Sequence, residues 1–90
     1  MRFDWDAGNW PKCGSHGVSK EEIEDLFEND PLIVPDKTDH GAEERLNAIG
    51  TNNGGEHIFV VFTLRLGRIR PISARHMHDK EVKRYERDNP

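Results

Sequence analysis

Residues 57–75 read HIFVVFTLRLGRIRPISAR, and this stretch decides the fold. Its first half holds the densest apolar cluster of the chain, Ile58-Phe59-Val60-Val61-Phe62, a short β-branched and aromatic run that reads as a strand. Leu66-Gly67 interrupts it with a turn signal, and a second β-prone run follows. The expectation is two antiparallel strands, His57–Arg65 and Arg68–Arg75, joined by a tight turn. With Arg65 opposite Arg68, Thr63 falls opposite Arg70 and Val61 opposite Ile72 on one face. That register groups three arginines near the turn and sends Arg75 to the other side. A bulge after Gly67 exchanges the faces, because a slip of one residue reverses every side chain. Both arrangements stay open at this level.

Outward from the hairpin, Asp79 is positioned to cap a last helix running to about Asp88, with Val82 and Tyr85 on one side amid charge. Upstream, Asn52-Asn53-Gly54-Gly55 is a turn, Glu44–Ile49 is expected as a strand, and residues 36–41 form a polar turn. Leu32-Ile33-Val34, flanked by prolines, suits an edge strand. A helix starts at Ser19, which with Glu22 makes a capping box; Ile23, Leu26 and Phe27 give it one apolar face, and Asn29-Asp30-Pro31 stops it. Phe3-Asp4-Trp5 can add a short first strand. The resulting class is α+β: a small antiparallel sheet with helices gathered on one face, in a single domain over residues 1–90. The other face of such a sheet is open to solvent or to a ligand.

At 33% hydrophobic and 33% charged residues, ninety residues support one thin core. Cys13 is the single cysteine, so no internal disulfide forms, and it is expected as a small buried apolar residue. The start of the chain does not resemble a signal peptide and the longest apolar run is five residues, which points to the cytoplasm and away from membranes. The net charge of −4 hides an asymmetry: residues 1–55 carry twelve acids against five bases, whereas residues 56–90 carry eight bases against five acids. Arg65, Arg68, Arg70 and Arg75 fall in one acid-free stretch. They read either as a solvated hairpin edge or as a site for a polyanion, since guanidinium forks match phosphate oxygens two at a time.

In order and spacing the chain resembles the BrnT-type toxins of bacterial type II toxin–antitoxin pairs. The resemblance is carried by Phe3-Asp4-Trp5-Asp6, His16-Gly17-Val18-Ser19 with Glu21-Glu22 and Leu26-Phe27, Asp30-Pro31, Glu44-Arg45 and Ile49-Gly50. It continues through Val60-Val61-Phe62-Thr63, Arg70, Ile72-Ser73-Ala74-Arg75, and Glu81 with Tyr85. Ser15 stands where members often have lysine, Lys20 replaces a usual apolar residue, and Pro71 interrupts a strand. The resemblance implies a RelE-like fold and an endoribonuclease that cuts RNA without metal or cofactor. It also implies neutralisation by a BrnA-type antitoxin, through which alone DNA is contacted.

Metal-free RNA cleavage uses the substrate's own 2′-hydroxyl, so the enzyme moves protons and stabilises the extra charge on phosphorus. Candidate catalytic residues are Arg65 and Arg75 as phosphate clamps, with Tyr85, Glu81 and His16; Arg70, Arg45 and Thr63 are candidates for binding RNA. Each has a plainer reading. Tyr85 can pack on the sheet with Val82, Glu81 can pair with Arg84, and His16 can fix its turn. Glu81 can equally orient an arginine. Of the five histidines, His76 and His78 stand two apart beside Asp79, yet no cysteine pair or helical two-histidine spacing supports zinc. Trp5 and Trp10 are expected as core or interface anchors. The rival to an active enzyme is a degenerate toxin that binds its antitoxin or RNA without cutting.

Overall fold

The structure, a computed structural model, describes residues 2–37, 41 and 43–89. In chain order a short 3-10 helix (Lys12–Gly14) precedes α1 (Lys20–Glu28), β1 (Leu32–Pro35), β2 (Leu46–Thr51), β3 (His57–Arg65), β4 (Arg68–His76) and α2 (Asp79–Asp88). The strands form one antiparallel meander in the order β1-β2-β3-β4, with β1 at an edge as its flanking prolines require. The hairpin strands fall where the sequence puts them, with β4 one residue longer. β2 begins and ends two residues later than expected. Phe3 makes a single parallel bridge to Ile69 rather than a strand. Residues 38–40 of the expected polar turn lie outside the described residues.

Strand alternation sorts the sheet into two faces. On one, Ala48, Ile58, Val60, Phe62 and Ala74 are buried under Ile23, Leu26 and Phe27 of α1. Gly50 lies under the same helix, where an added Cβ would stand 2.9 Å from the Leu26 side chain. α1 starts as expected: Ser19 Oγ accepts from the Glu22 N–H, and Glu22 accepts from the Ser19 N–H. Burying Ile23 and Leu26 completely contributes roughly 1.5–3 kcal/mol each. Cys13 is buried in this core, and burial pushes its thiol up to about 11. Trp5 and Trp10 meet edge to face with centroids 5.4 Å apart and pack against the cluster.

The α+β class and the antiparallel sheet are as the sequence indicates. The two helices, however, lie over opposite faces instead of gathering on one. Leu32, Ile49 and Phe59, which face away from α1, line a cavity together with Tyr85 of α2. Among the described residues no helix is long and apolar enough to cross a membrane.

Candidate functional site

The register of the hairpin resolves the arginine question. Arg65 pairs with Arg68 and Thr63 with Arg70, but Val61 pairs with Ser73, which leaves Ile72 as an extra residue on β4. This bulge sits beside Pro71, where a missing N–H already breaks the ladder. It restores the alternation so that Ala74 is buried against Val60 while Arg75 joins Arg65, Arg68 and Arg70 on the face away from α1. The four arginines share a face without converging. Arg70 lies opposite Thr63 and Arg75 opposite Phe59, four residues apart on β3, which is about 13 Å along the strand.

The group nearer the turn is closed by the N-terminal segment. Asp4 N–H donates to the Ile69 carbonyl and Ile69 N–H to that of Arg2, so this segment runs beside β4. The Asn9 amide ties it down by donating to the carbonyls of Asp4 and Pro71. Both carboxylate oxygens of Asp6 accept from Arg70, at 3.0 and 3.1 Å, and Asp4 lies 3.4 Å from the same guanidinium. The Arg70 hydrogen bond holds the Asp6 carboxyl below its ordinary range, with a further contribution from the Gly8 N–H. With an 11% exposed side chain and two carboxylates against it, Arg70 is committed to fastening the N-terminus. Arg65 is 54% exposed and only 3.9 Å from Asp4.

Arg75 sits differently. Its Nη1 donates to Glu81 Oε1 at 2.7 Å and to the His76 carbonyl at 3.3 Å, and Nη2 donates to Glu81 Oε2 at 2.9 Å. A guanidinium has five N–H donors. These bonds leave the Nε–H and the second Nη2–H, a parallel fork with no acceptor among the described residues. The guanidinium carbon lies 4.9 Å from the Phe59 ring centroid, within reach of a cation–π contact. Glu81 is held at about 2, chiefly by the Arg75 hydrogen bond and then by the His78 N–H that donates to it at 2.9 Å. A carboxylate that weakly basic orients an arginine better than it removes a proton. On the same face the rings of His57 and Tyr85 meet edge to face at 5.7 Å.

The remaining candidates are scattered. Exposed His16 lies between the core residues Cys13 and Val18, on the α1 side of the sheet, and nothing among the described residues hydrogen-bonds its imidazole. Thr63 is buried and its hydroxyl donates to the Glu44 carbonyl at 2.7 Å. Arg45 contacts Glu43 at 3.4 Å while its Nε is buried with no partner among the described residues. The structure therefore brings together Arg75, Glu81 and Tyr85, and adds two residues that sequence reasoning passed over, His57 and Phe59. Their signal was available: if Ile58, Val60 and Phe62 face the core, His57 and Phe59 must face the other way.

A family model described as "Ribonuclease toxin, BrnT, of type II toxin-antitoxin system" matches residues 5–81. The matched span contains Arg75 and Glu81 and stops short of Tyr85. No curated protein matches the chain.

Proposed function

The chain belongs to the BrnT family of ribonuclease toxins of type II toxin–antitoxin systems, and we propose that it is itself an active, metal-independent endoribonuclease of the cytoplasm, neutralised by a BrnA-type antitoxin. The observation that carries this reading is the Arg75 guanidinium. Glu81 grips it end-on and leaves the side-on donor fork without a protein acceptor among the described residues, on a side chain that is 35% exposed. Such a fork binds two non-bridging phosphate oxygens and stabilises the charge that grows on them as the 2′-oxygen attacks phosphorus. In that step the 2′-oxygen–phosphorus bond forms and the phosphorus–5′-oxygen bond breaks. One proton leaves the 2′-hydroxyl and one is delivered to the departing oxygen. His57 and Tyr85, in contact beside the pair, are the groups suited to carry those protons. Arg65, exposed at the turn, offers a second phosphate contact further along the strand. The antitoxin, in this reading, covers the arginine-bearing face.

The test is cleavage of a mixed-sequence RNA by the purified chain in excess EDTA. Products ending in 2′,3′-cyclic phosphate, and their loss with Arg75→Ala, are expected. Failure of a folded protein to cut, or cutting that needs a divalent ion, overturns the proposal. Undiminished antitoxin binding after Arg65→Glu with Arg75→Glu removes the docking part alone.

A further inference from the structure

α2 does not seal against the sheet beneath it. Every residue of the helix is at least partly exposed, and it is held to β4 by the Arg75–Glu81 pair and to β3 by the His57–Tyr85 contact. Between helix and sheet lies a cavity of about 250 Å³, lined by Leu32, Ile49, Phe59 and Met77 below and by Glu81, Arg84, Tyr85, Asp88 and Asn89 on the helix side. Pockets for drug-sized ligands begin at about 300 Å³. This one has room for a single flat ring system.

We propose that the cavity is the subsite for one nucleobase of the RNA, guanine by preference, belonging to the nucleotide whose phosphate Arg75 holds. The inference rests on the ribonuclease reading above. Leu32, Ile49, Phe59 and Arg75 are successive cross-strand partners in one row over β1 to β4. The apolar floor thus runs straight into a guanidinium, and a nucleotide has the same layout: a flat apolar-faced base, then an anion. Phe59 and Tyr85 supply aromatic surface for stacking, the part of single-strand recognition that any base satisfies. The rim decides which base. The Asp88 carboxylate only accepts hydrogen bonds and the Arg84 guanidinium, one helical turn away on the same rim, only donates; guanine presents two adjacent donors, the N1–H and the 2-amino group, beside its O6 acceptor on its Watson–Crick edge. Splayed single-stranded bases are read on that edge.

The probes are GMP, AMP, CMP, UMP and ribose 5-phosphate, titrated into the labelled protein and followed by NMR. GMP is expected to shift the Phe59 and Tyr85 rings and the Met77 methyl, and to bind roughly tenfold more tightly than AMP. Asp88→Asn should abolish that preference. Leu32→Trp plugs the cavity from the sheet edge, away from Arg75 and Glu81. It should remove the GMP shifts and raise KM for RNA roughly tenfold, with flattened bias at the cleavage site. If Leu32→Trp fails to fold, Asp88→Asn carries the test. Ribose 5-phosphate binding as well as GMP overturns the subsite, as does a folded Leu32→Trp with unchanged binding and cleavage pattern. Equal GMP and AMP binding overturns the guanine preference. Base-dependent binding by a chain that cuts no RNA removes the nuclease reading and leaves the subsite standing; cutting without base bias or nucleotide binding does the reverse.

Discussion

Replacing Glu81 by Gln tests the pair on which the site is built. The substitution keeps one acceptor oxygen for Arg75 and removes the charge and the second acceptor. A carboxyl held at about 2 instead of its ordinary 4.5 corresponds to at most about 3 kcal/mol of native-state stabilisation. Both side chains are about a third exposed, at 35% and 36%, so water screens the pair and about 1 kcal/mol is expected. Because α2 has no fully buried anchor, the loss falls on its local opening instead of on global unfolding. Amide exchange over residues 82–88 should become about fivefold faster at pH 7 in Glu81→Gln, with β3 and β4 amides unchanged. The pH dependence has a definite sign. The folded-state value lies below the unfolded one, so the stabilisation is complete above about pH 5 and is lost as pH falls from about 4.5 toward 2. The difference between the two proteins must close over that interval. A gap as wide at pH 2 as at pH 7, or none at pH 7, refutes the reasoning.

Four other outcomes follow from the geometry. Arg75→Lys keeps the charge but loses the two paired forks that hold Glu81 and phosphate bidentately; steady-state cleavage should show kcat lower by about 10²–10³ with a smaller change in KM. Arg70→Ala frees the N-terminal segment and should lower Tm by roughly 5 °C in a thermal melt. Asp6→Asn should act in the same direction at pH 7, with the difference shrinking only as pH falls below about 4 toward the lowered folded-state value of the Asp6 carboxyl. Leu66, 96% exposed at φ 54° and followed by Gly67 at φ 76°, occupies a turn that favours Asn-Gly, so Leu66→Asn should stabilise by about 1 kcal/mol and raise Tm by roughly 4–8 °C.

What the sequence discloses is local. The Ser19–Glu22 capping box, the proline-flanked edge strand and the Leu66-Gly67 turn each depend on residues a few positions apart, and each stands where the pattern puts it. The Arg70–Asp6 fastening joins residues 64 positions apart and exists only because the N-terminus docks along β4, which no local periodicity encodes. The side taken by α2 was hidden for another reason. Val82 and Tyr85 are too few among charges to mark a face, and the helix is held by an ion pair and a ring contact. The bulge had a visible cause in Pro71, but its placement at Ile72 depends on which neighbour must reach the core.

That last dependence explains why the face is built as it is. At the far end of β4 either Ala74 or Arg75 had to point under α1. An unpaired guanidinium among Val60, Ile58 and Leu26 would cost several kcal/mol, whereas Ala74 fills the space beside Val60 without penalty. Ile72 absorbs the difference, and Arg75 emerges on the same side as the arginines of the turn. α1, meanwhile, carries Glu21, Glu22, Glu24, Asp25 and Glu28 over the opposite face. The acidic surface of α1 thereby lies on one side of the sheet and the four hairpin arginines on the other, where Asp4 and Asp6 offset part of the charge of Arg65 and Arg70. In the proposed ribonuclease reading, a polyanion is repelled from the side that α1 covers and drawn to the side that bears Arg75. The one-residue bulge therefore settles core packing and the face on which Arg75 emerges together.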